Sequence, residues 1–128
     1  MCANNIVRNI AGARSNPNTR PVGISAEADT VVTGNVIEDA PGIGIALGWG
    51  AYCRNLTATN NLVRRCGIGM TASLTKDAGS VLISSNTIAG AAHAAILGMD
   101  HDQVMTEDLA KPGAQSYGAL TVRDNLVA

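Results

Sequence analysis

"VLISSNTIAG", residues 81–90, carries an alternating apolar strand up to Asn86 and resumes the alternation directly beyond it. The chain repeats this motif in "TVVTGNVIED" at 30–39, "LTATNNLVRR" at 56–65 and "LTVRDNLVA" at 120–128. Aligned on Asn5, Asn35, Asn61, Asn86 and Asn125, the position three residues earlier holds Cys2, Val32, Ala58, Ile83 and Val122. Two residues after the pivots stand Val7, Ile37, Val63, Ile88 and Val127. Five residues before the last four stand Thr30, Leu56, Val81 and Leu120. Period two on both sides of each Asn describes a strand, a bend and a second strand. A third apolar run follows: "GIGIALG" at 42–48, "GIGMTA" at 67–72, "AAILG" at 94–98, and "VGIS" at 22–25 in the first repeat. Each repeat therefore contains three short strands.

The pivots fall 30, 26, 25 and 39 residues apart, so a unit of about 25 residues carries two insertions, at 11–21 and 98–119. Repeats of this size build solenoids, in which no single unit buries its own apolar face. The spelling before the Asn also fits a leucine-rich repeat. That fold would continue into Leu-spaced convex segments, whereas Gly-Ile-Gly-Ile and Gly-Ile-Gly-Met supply another strand, which favours a right-handed parallel β-helix. Its turns stack at the interstrand spacing of about 4.8 Å, so equivalent residues lie above one another. Asn tolerates the left-handed backbone of a tight bend, and its amide bonds to the next turn. The five Asn are thus expected to form a structural ladder. The expected architecture is all-β, a single domain over residues 1–128 of about five coils.

Composition agrees with short strands around a thin core. The chain has 128 residues, 46% of them hydrophobic, with 14 Gly, one Trp, two Tyr and no Phe. Val, Ile, Leu, Ala and Met must therefore fill the interior in regular layers. The net charge of −1 offers no electrostatic footprint for nucleic acid or an anionic membrane. No apolar run approaches the roughly 20 residues that a membrane helix requires. "MCANNIVRNI" lacks the basic and long apolar regions of a signal peptide, and the internal Arg64-Arg65 pair precedes no apolar stretch. Cys2, Cys53 and Cys66 are odd in number and lack metal-ligand spacing, so they read as free thiols in or near the core. No cofactor or metal is expected.

The segments "TVVTGNVIEDAPGIGIALGWG", "LTATNNLVRRCGIGM", "VLISSNTIAG" and "DLAKPGAQSYGALTVRDNLVA" resemble the pectin-lyase-like superfamily of right-handed parallel β-helices. More narrowly, the chain looks like the C-terminal part of a family of twin-arginine-translocated bacterial repeat proteins. The superfamily resemblance implies polysaccharide lyases, hydrolases or epimerases, or phage and surface proteins. The narrower one implies export to the periplasm or cell exterior and no particular activity. Both termini fall mid-coil and neither spells a cap, so a fragment of a longer solenoid is expected. Its exposed apolar ends would meet the remaining coils or a second copy.

The carboxylate signatures of polygalacturonases and alginate epimerases are absent. Chemistry is left to three regions outside the repeat. "AGARSNPNTRP" at 11–21 reads as a solvated loop in which Arg14 and Arg20 are placed to meet acidic sugars. "GWGAYCRN" at 48–55 sets Trp49 beside Tyr52 and Arg54, a ring for a sugar to stack on and a cation for a uronate. A Trp covering the core at a corner is the competing reading of Trp49. "GMDHDQVMTEDLAKPGAQSYGA" at 98–119 offers His101 as a base flanked by Asp100 and Asp102. The same stretch also reads as a plain surface loop with a short helix over 106–110, begun by Thr106 as N-cap. His93, placed in the column of Ile43 and Ile68 by treating Pro41 as an inserted residue, is expected to point inward and be hydrogen-bonded.

The Trp49–Tyr52–Arg54 and Asp100–His101–Asp102 loops should emerge from one corner, about 10 Å apart across an intervening connection carrying Lys76 and Asp77. An acidic oligosaccharide would then stack on Trp49 and pair with Arg54 and Lys76, with His101 as base. The functional expectation is an exported protein that binds or processes polysaccharide. A non-catalytic structural or adhesive scaffold is the alternative, since the fold hosts both.

Overall fold

The computed structural model describes residues 1–10 and 20–128; most of the expected insertion at 11–21, Arg14 included, lies outside the described residues. The regular structure among them is sixteen β-strands. In sheet A, β1 (Cys2–Ala3), β4 (Ala28–Thr33), β7 (Arg54–Thr59), β10 (Val81–Ser84) and β15 (Leu120–Arg123) stack in parallel. Sheet B stacks β2 (Ile6–Arg8), β5 (Val36–Glu38), β8 (Leu62–Arg64), β11 (Thr87–Ala89) and β16 (Leu126–Val127). Sheet C stacks β3 (Val22–Ala26), β6 (Ile43–Leu47), β9 (Ile68–Ser73) and β12 (Ala94–Asp100). The chain is a parallel β-solenoid of about three turns, β4–β6, β7–β9 and β10–β12, with partial turns on either side.

Register follows the sequence columns. Cys2, Val32, Ala58, Ile83 and Val122 pair across sheet A. Val7, Ile37, Val63, Ile88 and Val127 pair across sheet B. In the middle turns these columns bury almost completely against Ile45, Met70 and Ile96 of sheet C. Each such aliphatic side chain contributes about 1.5–3 kcal/mol by leaving water, and the repeat multiplies that gain.

Sheet C bends where two successive residues turn inward, as Ala95 and Ile96 do. The first of each pair is Gly23, Gly44 or Gly69 until the column ends at Ala95. A Cβ on Gly44 would sit 2.6 Å from the Gly69 carbonyl oxygen and 2.6 Å from Val63 Cγ1. At Gly69 it would sit 2.6 Å from the Ala95 carbonyl oxygen. No parallel strand stacks beyond Ala95, so a methyl fits there.

The corner between sheets A and B holds the Asn ladder. Asn35 Oδ1 accepts from Asn5 Nδ2 at 2.9 Å and from its backbone N–H at 3.0 Å. The same pair of hydrogen bonds links Asn35 to Asn61, Asn61 to Asn86, and Asn86 to Asn125. Spare amide protons go to the Cys2, Val32, Ala58 and Ile83 carbonyls. Asn35, Asn61 and Asn86 are fully buried and fully bonded, as a buried amide must be. The left-handed residue of the bend, however, is the one before each ladder Asn: Asn4, Gly34, Asn60, Ser85 and Asp124, with φ between 55° and 67°. The ladder Asn leaves its side chain free to bond by delegating the strained backbone to its neighbour.

The insertion at 98–119 lies over the outer edges of sheets C and A. No helix forms over 106–110; the segment lies along the free edge of β12. Asp108 accepts from the Ala95 and Ile96 N–H groups at 2.8 and 3.1 Å, and Thr106 Oγ1 accepts from Gly98 N–H. Met105 and Leu109 N–H groups bond to the Gly98 and Ile96 carbonyls, and the Leu109 side chain is completely buried in the core. β13 (Gln103–Val104) pairs antiparallel with β12, and β14 (Gln115–Tyr117) pairs antiparallel with β15. The cap signature at Thr106 thus satisfies a strand edge, and the outer edges of sheets A and C are covered from within the chain, while β16 of sheet B leaves Leu126 and Val127 exposed.

His93 is also corrected. It is exposed, and Ala94 occupies the column of Ile43 and Ile68. The extra residue assigned to Pro41 recurs between Ile88 and Ala94; the turn from Val63 to Ile68 is the short one.

Candidate functional site

Outside sheet C, Ile43, Ile68, Leu97 and Met99 form a second apolar cluster with Val22, Ala46 and Ala94. Two successive inward residues at the bend put these alternating positions on the outer surface. Beside the cluster runs a groove of about 420 Å³. Val22, Ile43, Ala46 and Met99 form its apolar floor, with the hydroxyl residues Ser25, Thr71 and Ser73. Arg20, Glu27, Trp49, His101 and Asp102 stand around it.

The Trp wall is built by a tight loop. Trp49 and Tyr52 exchange backbone hydrogen bonds of 2.9 Å, and Gly48 and Gly50 supply the left-handed residues at φ 85° and 56°. Ser73 Oγ donates to the Gly50 carbonyl, tying the loop to the next turn. On the facing side, β12 runs on to Asp100 and reverses into β13 through His101, itself left-handed at φ 52°. The reversal folds the imidazole back over Gly50, where any Cβ would collide with the ring. Trp49 and His101 meet edge to face, with centroids 5.0 Å apart and planes at 85°. The two loops are therefore in contact, not 10 Å apart, because His101 reaches across the intervening strand. His101 Nδ1 lies 2.7 Å from Asp100 Oδ1, so Asp100 orients the ring.

Of the residues singled out from the sequence, Trp49, His101 and Asp102 share this groove, and Asp100 acts through His101. The others stand elsewhere. Tyr52 and Arg54 line a separate hollow with Asp77. The Arg54 guanidinium bonds Asp29 at 2.9 Å, which holds the Asp29 carboxyl below the usual carboxylate range. Lys76 lines a third hollow with Tyr117. Trp49 is 44% exposed, so it does not serve only as a cover for the core.

Ser25, Glu27, Thr71 and Ser73 escaped the sequence reading. Their signal was faint: "GMTAS" reads as one buried run, and only the bend at Gly69–Met70 turns Thr71 and Ser73 outward. A polar column was also missed. Asp29 accepts from Asn55 Nδ2 at 2.9 Å, and Asn55 Oδ1 accepts from Ser80 Oγ at 3.3 Å, each residue six before a ladder Asn.

Two further arginines are engaged at sheet B. Arg64 and Arg65 both bond the Glu38 carboxylate, at 2.9 and 2.7 Å, and Arg65 also bonds Asp39. These bonds hold the Glu38 and Asp39 carboxyls below their ordinary range. Cys53 and Cys66 are buried free thiols, and burial pushes both up. Among the described residues no group of three or more His, Cys, Asp or Glu side chains is placed to hold a metal ion. No family model, curated protein or solved structure matches this chain.

Proposed function

We propose that the sheet C groove is a glycan-binding surface and that the protein works as an exported carbohydrate-binding solenoid. The observation that carries the reading is the half-exposed Trp49 ring, standing over an apolar floor set with hydroxyl side chains. A sugar presents C–H faces and hydroxyls together, and an aromatic wall beside polar groups complements both. Binding is favoured over catalysis. The Asp100 contact at Nδ1 leaves Nε2 as the nitrogen to take a proton, but Nε2 faces Gly50 and the ring packs on Trp49, so His101 serves better to brace the wall. The superfamily resemblance and the export it implies belong to this proposal. So do a right-handed winding, which crossovers between parallel strands strongly favour, and a count of five coils with the partial turns included.

Calorimetry with neutral and charged oligosaccharides, wild type against Trp49→Ala, tests the reading. Saturable heat in the wild type that weakens at least about tenfold in the variant is expected, the loss of one buried aromatic contact. Equal heats in the two proteins would move the site away from the groove. No heat with any glycan would favour a purely structural scaffold. That second reading draws support from the outer face of sheet A, where Thr33 pairs with Thr59 and Val31 with Thr57 in a regular array.

A further inference from the structure

The geometry points to a cationic ligand: resting on the glycan reading, the groove takes oligosaccharides of amino sugars whose amines are free and protonated. Glu27 and Asp102 both line it, and among the described residues no Lys, Arg or His forms an ion pair with either. Arg20 is the one cation among the described lining residues, so the two carboxylates outnumber it. Of the two cations expected to pair with a uronate, Arg54 is bonded to Asp29 and Lys76 lines a different hollow. A uronate entering here would meet two unpaired carboxylates of like charge, which opposes binding. An ammonium would meet the same groups favourably, and the face of Trp49 attracts a cation as well as a sugar C–H surface.

A second feature marks the floor as built for a polar ligand. Thr71 is only 4% exposed, lines the groove, and its hydroxyl makes no hydrogen bond among the described residues. The hydroxyl oxygen is not itself shut off from solvent, so a hexosamine hydroxyl or amine can take the place of water there. N-acetylation would remove the charge and replace a compact donor with a bulkier neutral amide. The part of that preference lost when the carboxylates are neutralised therefore reports their share, apart from the size change and the pull of the Trp49 face.

Calorimetry on the full chain would compare glucosamine hexamer, N-acetylglucosamine hexamer and galacturonate hexamer in wild type, Glu27→Gln, Asp102→Asn and the double variant. Both side chains are exposed, so the variants should fold, and thermal melts would check it. The wild type should bind the free-amine hexamer roughly tenfold tighter than its acetylated form. Each single variant should lose about threefold of that preference and the double variant most of it, as two partly screened ion pairs would. The preference should also shrink in high salt. Equal binding of amine and acetyl forms, or tighter binding of galacturonate, would overturn the inference while leaving the groove as a glycan site. Heat from none of the three would overturn both.

Discussion

The two corners that flank sheet A are built on opposite plans. At the corner leading to sheet B every turn is alike: a left-handed residue, then a ladder Asn bonded to the Asn above and below. At the corner entering from sheet C, the connections differ in every turn, from the single residue Glu27 to residues 48–53, 74–80 and 101–119. Stacking makes the first corner costly to vary, because one changed residue unpairs its neighbours in two turns. The second corner carries only the exposed Asp29–Asn55–Ser80 column at the strand starts, so the loops before it vary in length while the strands stay in register. Stability is concentrated where the repeat is strict, and the candidate site stands where it is loose.

The comparison breaks most directly at Asn61. Replacing it with Ala removes the acceptor of the Asn35 N–H and amide and the donor to the Val32 carbonyl. Asn61→Ala should cost on the order of 3 kcal/mol by chemical denaturation. Asn5→Ala, at the exposed end of the ladder, should cost under about 1 kcal/mol, since water replaces the lost partners. Equal costs would mean that the ladder does not derive its strength from burial.

Sheet C supplies the next largest effect. Gly44→Ala forces a methyl against the Gly69 carbonyl and Val63, and overpacking of this kind costs about 1–3 kcal/mol. Ala95→Gly, at the end of the same column, should cost only about 0.5–1 kcal/mol through backbone entropy. The cap comes third. Asp108→Ala leaves the Ala95 and Ile96 N–H groups unbonded, with about 1–2 kcal/mol lost and stronger self-association by light scattering.

The smallest effect is on the acid limb. The folded Glu38 and Asp39 carboxyls titrate below their ordinary range because Arg64 and Arg65 bond them. Their stabilisation is therefore fully present above the unfolded carboxylate pKa of about 4 and disappears as pH falls through the lower folded value. Glu38→Gln should lower stability modestly near neutrality, where the contribution is fully present, and flatten the loss of stability as pH falls through that window. An unaltered acid limb would show that the arginines do not favour the charged form.

The strict corner was legible and the loose one was not, for a physical reason. Columns such as Val32, Ala58 and Ile83 repeat because each pairs with its own equivalent, so period alone exposes them. The ladder followed from five aligned Asn, although which residue takes the left-handed backbone did not, because Gly34 and Ser85 share no side-chain chemistry. Trp49 and His101 stood out as residue types, but their contact depends on a reversal at His101 that no local pattern announces. Asp108 looked like part of a short helix because the same Thr and Asp that cap helices also bond a free strand edge. Gly23, Gly44 and Gly69 giving way to Ala95 was a readable sign that the parallel stack of sheet C ends there.

Trp49 is the single tryptophan of the chain and stands in the groove wall, so its fluorescence reports directly on the central claim that ligand binds at the loose corner. Titration with glucosamine hexamer should shift the emission to shorter wavelength and saturate at the affinity measured by calorimetry, as the half-exposed ring is covered. Emission that stays unchanged while calorimetry records binding would place the ligand elsewhere on the solenoid and contradict the account.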